Sequence, residues 1–114
     1  MKYVIGIDCG TTSVKAVAYD ENGCEVCKAS MANVVINDGI CNEQDMEKLW
    51  QNVLICLKTL TNENDFLKEN TVALCCSGQG EGLWPVDANG DPVRNAILWN
   101  DGRSYKIVDE IKAN

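Results

Sequence analysis

The sequence contains no histidine, which removes the side chain most often used as a general base and as a zinc ligand. Any acid–base step must therefore use carboxylates or groups outside these 114 residues. Basic residues are also scarce, since 10 Lys and Arg stand against 17 Asp and Glu and give a net charge of −7. Without a basic stripe to displace counterions, we expect no nucleic-acid binding, and a small ligand is favoured.

Long apolar runs are missing too, so neither a membrane span nor a signal peptide is expected. The seven cysteines are an odd number, which argues against a disulfide framework. Four of them fall in apolar segments, where thiols pack as small hydrophobic groups: Cys9, Cys56, Cys75 and Cys76. Cys24 and Cys27 have the spacing of a metal pair, but residues three apart in a strand point to opposite faces. We therefore expect a cytoplasmic protein without a zinc site.

The first 29 residues predict three antiparallel strands. Residues 1–7 form an apolar run that is typical of a strand buried on both faces. Residues 14–19 and 24–29 flank Asn22-Gly23, which is a strong hairpin signal. Residues 30–42 read as a loop with one short extended piece.

Helical periodicity begins later in the chain. Residues 45–60 place Leu49, Val53 and Leu57 on one face, which predicts a helix over the sheet. A buried strand at 71–76 then suggests a parallel crossover. The remaining predicted elements are a helical turn at 65–69, short strands at 83–86 and 96–99, and a helix at 104–113. Asp87 to Gly90 repeats the turn residues of Asp20 to Gly23.

A candidate phosphate site follows the first strand. Asp8 emerges from the strand end, and Gly10 lets the backbone approach a ligand closely. The next residues offer hydroxyl and amide groups without bulk: Thr11, Thr12 and Ser13. Because Asp8 repels a bare phosphate, the arrangement requires Mg2+ between the two. An ordinary hairpin with a polar tip is the alternative interpretation.

This order of residues, continued by Lys15, resembles the first phosphate motif of the actin-like superfamily, which includes sugar kinases, chaperones and actin. The resemblance implies that Asp8 is catalytic through Mg2+ and its waters. It also implies that Thr11, Thr12 and Lys15 face the transferred phosphate.

A second candidate site lies in the glycine-rich loop at residues 77–82. The loop follows a predicted buried strand at its carboxyl end, where open α/β sheets place their ligands. Its small residues leave room around Gln79 and Glu81, whose amide and carboxylate groups suit the hydroxyls of a polyol. The alternative is that both are merely exposed loop residues.

Four ordered segments together resemble the FGGY carbohydrate kinases along the whole chain: residues 8–13, 42–50, 77–82 and 96–104. The resemblance implies an α/β, actin-like ATPase (ribonuclease H-like) fold with an antiparallel three-strand start, a mixed sheet and flanking helices. It implies ATP and Mg2+ as cofactors. Gln79, Glu81 and Trp99 would line a sugar or polyol pocket, and Asp101 and Arg103 would organise its wall through an ion pair.

The pocket loop departs from better-known members of that family. Glycerol kinases carry Arg between the Gln and the Glu, and D-xylulose kinases carry Met-His after the Gln, whereas Gly80 and Glu81 stand here. The roomier, acidic loop favours a tetritol, a pentitol or an L-ketopentose as substrate.

Since FGGY kinases are several times longer, we expect residues 1–114 to be the amino-terminal portion of the first kinase domain, without the second domain, and inactive alone. Two alternatives stay open. One is a noncatalytic actin-like nucleotide-binding module, and the other is a truncated structural remnant that pairs as a homodimer over an exposed sheet edge.

Overall fold

The computed structural model describes residues 1–114 as two compact units. The first unit contains Met1–Asn33 and Glu47–Gln79, and the second contains Val34–Met46 and Gly80–Asn114. The strands are β1 (Tyr3–Cys9), β2 (Ser13–Asp20), β3 (Glu25–Ala32), β4 (Ile36–Asp38), β5 (Cys41–Gln44), β6 (Thr71–Gly78), β7 (Gly82–Leu83) and β8 (Ala96–Leu98). The helices are α1 (Met46–Glu63), α2 (Phe66–Asn70) and α3 (Tyr105–Ala113). None of these helices has the length and hydrophobicity that a membrane crossing requires.

The first unit is built on a mixed sheet in the order β3-β2-β1-β6. β1, β2 and β3 pair antiparallel, and β6 pairs parallel to β1. The predicted meander, the long helix and the later parallel strand are therefore confirmed. The third strand extends to Ala32, beyond its predicted end at residue 29.

The core of the first unit lies between α1 and one face of this sheet. Alternate residues of β1 and β2 point to the helix, and α1 supplies its periodic apolar face. The buried set is Ile5, Ile7, Val14, Ala16, Ala18, Val53, Cys56, Leu60 and Leu67. The small Ala16 and Ala18 leave room on β2 for the helix side chains to approach the sheet.

The sequence predicts that β1 is buried on both faces and that the strand at residues 71–76 is buried, and both predictions are wrong. β1 is buried on one face only, because alternation sends Val4 to the opposite face, where it is 42% exposed. β6 is exposed from Val72 to Gly78, because the core that covers β1 and β2 includes no residue of β6. An apolar run indicates that a strand tends to be buried, but not which residues cover it.

The two Asp-x-Asn-Gly turns use the same chemistry, as the sequence predicts. One carboxylate oxygen of Asp20 accepts the amides two and four residues later, both at 2.9 Å. Asp87 does the same at 2.8 and 3.0 Å. Each turn ends in a glycine with a positive φ, Gly23 and Gly90.

The second unit contains a second four-stranded sheet, in the order β4-β5-β8-β7, with every pair antiparallel. The prediction of a loop over residues 30–42 is wrong, because β3 continues into this range and β4 and β5 form a hairpin there. β4 has only three residues and all are exposed, so it lacks the alternation that reveals a strand. The strand predicted at 83–86 is reduced to Gly82–Leu83 and an isolated bridge from Val86 to Pro92. The carboxyl-terminal helix is confirmed as α3.

Candidate functional site

Asp8 lies on the open face of the first unit's sheet, opposite the helix. The strand register sets Asp8 level with Lys15 on β2 and with Ser77 on β6. These residues line a groove of about 340 Å³, together with Gly6, Ile7, Val17, Tyr19, Cys75 and Cys76. Asp8 and Lys15 are both exposed. A carboxylate, an ammonium group and a hydroxyl thus share one groove, and this set of groups suits a phosphate with a hard divalent cation.

Two asparagines that the sequence analysis missed stabilise the turn between β1 and β2 through hydrogen bonds. Asn33 donates its side-chain amide to the Gly10 carbonyl at 2.8 Å and its backbone amide to the Thr12 carbonyl at 2.9 Å. Asn52 of α1 donates to the Asn33 side-chain oxygen at 2.8 Å. Because the C=O and N–H of a trans peptide point in opposite directions, the Thr11 amide is turned away from Asn33. No sequence motif marks these asparagines, since their partners lie about 20 residues away.

Gly10 itself is tightly placed. Its amide donates to the Ser13 carbonyl at 3.0 Å, which closes the turn. A Cβ at this position would lie 3.0 Å from that same carbonyl oxygen. A side chain at Gly10 would therefore crowd the backbone of the turn, and the close approach of a ligand to Gly10 stays a prediction.

In the second unit, the pairing of β7 with β8 brings Glu81 and Trp99 to the same end of the sheet. Gly82 pairs with Leu98, so the residues just outside the ladder are Glu81 and Trp99. Gly82 has φ +110°, and a Cβ there would lie 2.6 Å from the Ile97 carbonyl oxygen. Only glycine permits this approach. Trp99 is 57% exposed, which leaves ring surface open to a ligand.

The carboxylate of Asp101 is saturated by hydrogen bonds. Its oxygens accept the Arg103 amide at 2.9 Å, the Arg103 Nε and Nη2 at 2.8 Å each, and the Asn42 amide at 2.6 Å. Only 3% of the side chain is exposed. The hydrogen bond from Arg103 is the largest cause that holds the pKa of Asp101 well below its usual range. The predicted ion pair is present, and its geometry leaves Asp101 no surface to offer a substrate.

Glu43 is a second carboxylate in this unit, and sequence reasoning missed it. Its Oε1 accepts from Arg103 Nη2 at 3.0 Å and from Arg94 Nη2. Its Oε2 accepts from the Asn95 side chain at 3.4 Å. The hydrogen bond from Arg103, followed by that from Asn95, lowers the pKa of Glu43. The partners lie 51 to 60 residues away along the chain, so no local spacing reveals them.

The predicted site residues divide between the two units. The phosphate set, Asp8, Gly10, Thr11, Thr12, Ser13 and Lys15, lies on β1, β2 and their turn. Gln79 follows β6 and also belongs to the first unit. Gly80, Glu81, Trp99, Asp101 and Arg103 belong to the second unit. Their roles toward a ligand stay predictions.

Comparison with known proteins gives consistent matches. An erythritol kinase from Brucella abortus is 34% identical over 111 residues, which cover 96% of this chain and 21% of that protein. A xylulose kinase from Staphylococcus xylosus is 36% identical over 115 residues, which cover 100% of this chain and 23% of that protein. The crystal structure of Plasmodium falciparum glycerol kinase with ADP matches with a TM-score of 0.80 and 27% identity, over 100% of this chain and 23% of that one.

These matches confirm the predicted actin-like α/β fold with its mixed sheet. The chain spans about a fifth of the length of the curated relatives it matches. A family profile described as the FGGY family of carbohydrate kinases, N-terminal domain, matches residues 3–114. Because that match covers nearly every residue, the chain belongs to the FGGY family of carbohydrate kinases.

Proposed function

We propose that this chain supplies the phosphate-binding turn and part of the acceptor pocket of an ATP-dependent kinase, which phosphorylates a hydroxyl of a small sugar or polyol. The observation that carries the proposal is the alignment of Asp8, Lys15 and Ser77 on three neighbouring strands around one groove. Family membership supports the same reaction class. The domain assignment follows: residues 1–114 form an amino-terminal portion of the first kinase domain.

Each group in the groove has a distinct task in this proposal. Asp8 would hold Mg2+ through water ligands, and the ion would supply neutralisation of the phosphate charge. Lys15 places its ammonium group beside the transferred phosphate. Thr11, Thr12 and Ser13 donate hydrogen bonds from a turn that Asn33 keeps in one conformation. Phosphoryl transfer depends mainly on such positioning and charge stabilisation.

In the second unit, Gly80, Glu81 and Trp99 would contact the acceptor. Gln79, in the first unit, would bind an acceptor hydroxyl through its amide. The Glu81 carboxylate accepts hydrogen bonds from two neighbouring hydroxyls, and Trp99 stacks its exposed ring on the carbon chain. The hydroxyls of a neutral tetritol, pentitol or L-ketopentose can donate hydrogen bonds to the Glu81 carboxylate, whereas the carboxylate of a sugar acid is repelled by it. Asp101 and Arg103 act as the pocket wall, because their polar groups are already engaged with each other.

The test is ADP release by the product of the complete gene, with ATP, Mg2+ and a panel of neutral polyols, ketopentoses and one aldonate. We expect turnover on a neutral tetritol, pentitol or L-ketopentose, and none on the aldonate. Asp8→Asn should abolish turnover, because it removes the charge that holds the metal. A folded protein that is silent across the panel would favour the noncatalytic actin-like module instead.

Residues 1–114 alone should release no ADP, because half a cleft cannot exclude water or close on both substrates. Measurable ADP formation by this chain would contradict that expectation. A cytoplasmic location and a homodimer stay predictions of the sequence.

A further inference from the structure

Four side chains of the second unit form a charged cluster with no net charge: Glu43, Arg94, Asp101 and Arg103. Arg103 stands at its centre, since its Nη2 donates both to Asp101 Oδ2 at 2.8 Å and to Glu43 Oε1 at 3.0 Å. Arg94 donates to the same oxygen of Glu43. Glu43 is therefore the group that joins the two arginines.

The cluster joins β5 to the turn that follows β8. The Asn42 amide donates to Asp101 at 2.6 Å, and the Asn42 side chain donates to the Asn100 carbonyl at 3.0 Å. The Gly102 amide donates to the Ile40 carbonyl at 2.8 Å. The second half of the turn is thus attached to the β4–β5 hairpin at three consecutive residues, Asn100, Asp101 and Gly102.

Trp99 lies inside this turn. The Asp101 amide donates to the Leu98 carbonyl at 3.0 Å, which closes a four-residue turn with Trp99 and Asn100 at its centre. On one side of Trp99 the backbone is fixed by the pairing of β8 with β5, in which Ile97 lies opposite Glu43. On the other side it is fixed by Asp101. The backbone that carries the indole is therefore held from both sides.

We propose that Glu43 is a positioning residue, which acts through Arg103 and Asp101 to hold the Trp99 turn in the orientation that receives the sugar or polyol. The inference rests on the proposed kinase function, because that function supplies the sugar or polyol that Trp99 would contact. Asp101 alone holds Arg103 through one carboxylate, from the same turn. The two hydrogen bonds to Asp101 already fix the plane of the guanidinium group, and Glu43 adds a second carboxylate from another strand, which attaches this ion pair to β5.

The experiment compares Glu43→Gln with Glu110→Gln in the product of the complete gene. Both changes remove one negative charge from a glutamate of the second unit, but Glu110 lies on an exposed face of α3, outside the cluster. We expect Glu43→Gln to raise the KM for the polyol about fivefold, with the KM for ATP unchanged, since one charge-assisted anchor is lost. Hydrogen exchange of the Asp101 and Arg103 amides should also become faster. Glu110→Gln should change none of these.

Each outcome decides the inference. Wild-type turnover with an unchanged polyol KM in Glu43→Gln would overturn it, even if hydrogen exchange becomes faster, because Glu43 would then be structural only. A parallel rise in both KM values would overturn it too. A wild-type protein without turnover overturns the proposed function, and the inference falls with it. If Glu43→Gln does not fold, Glu43→Asp replaces it, which keeps the charge but shortens the reach to Arg103, with an expected polyol KM rise of about twofold and an unchanged KM for ATP.

Discussion

Replacing Gly82 with alanine should destabilise the second unit more than the same change at any of its other pocket-side or turn glycines. Gly82 has φ +110°, and an alanine Cβ would lie 2.6 Å from the Ile97 carbonyl oxygen. That atom belongs to the backbone of β8, so it cannot rotate away. The clash must be relieved by separating β7 from β8, which is the pairing that brings Glu81 beside Trp99.

Alanine substitutions at two other glycines distinguish the effect of left-handed backbone strain from the effect of the steric clash. Gly90 has φ +86° but open space around its Cβ position, so alanine there should cost only the left-handed strain, about 1 kcal/mol. Gly80 has neither a positive φ nor a close neighbour, so alanine should be neutral or slightly stabilising. At Gly82 the strain is joined by the loss of the β7–β8 hydrogen bonds, and we expect about 3 kcal/mol in total.

The assay is urea unfolding followed by tryptophan fluorescence, since Trp84 and Trp99 both lie in the second unit near Gly82. The expected order of unfolding free energies is Gly80→Ala above Gly90→Ala above Gly82→Ala, with unchanged m values. Equal losses at Gly82 and Gly90 would refute the reasoning, because the close approach of β7 to β8 would then contribute nothing.

Two further predictions concern the charged cluster and the groove. Hydrogen bonds from Arg103 hold the pKa values of Asp101 and Glu43 below their ordinary values of 3.8 and 4.5. Both ionised carboxylates therefore stabilise the folded state when the pH is above those ordinary values. This stabilisation is lost as the pH falls through the lower pKa values of the folded state. The unfolding free energy of the second unit should therefore be level from about pH 8 to 5 and fall below about pH 4, and Glu43→Gln should reduce that fall in urea titrations. Cys75 and Cys76 are exposed and line the groove with Asp8, whereas Cys24 is exposed outside it, so Mg2+ with ATP should slow maleimide labelling of Cys75 and Cys76 but not of Cys24 in the complete gene product. Mass spectrometry of the labelled peptides checks this, and labelling of Cys75 and Cys76 at an unchanged rate would argue against a phosphate in the groove.

Much of the first unit was predictable, because its signals are local. Alternation and the Asn22-Gly23 turn determine the meander, and a 3.6-residue period determines α1. The alignment of Asp8 with Ser77 follows from the rule that parallel strands end at the same edge of a sheet. The turn chemistry of Asp20 and Asp87 is equally local, since each carboxylate bonds amides within four residues.

In the second unit, β8, α3 and the Asp101–Arg103 ion pair were predicted, whereas the β4–β5 hairpin and the contacts of Glu43 were missed because they depend on distant partners. β4 is too short and too exposed to show a period, and β7 has only two residues. Glu43 and Arg94 look like ordinary surface charges in sequence, and only the pairing of β5 with β8 brings them together. Asn33 and Asn52 were missed for the same reason, since a side-chain amide that holds a turn has no characteristic neighbours in sequence.

The most direct test of the kinase proposal is a phosphorus NMR spectrum of the complete gene product incubated with ATP, Mg2+ and the neutral polyol that gives the highest ADP release. The proposal predicts a phosphomonoester resonance that grows at the rate of ADP formation, with no equivalent growth of inorganic phosphate. Asp8→Asn should give neither signal. Growth of inorganic phosphate together with ADP, without a phosphomonoester resonance, would contradict the proposal, because it would mean that ATP is hydrolysed without transfer to a hydroxyl.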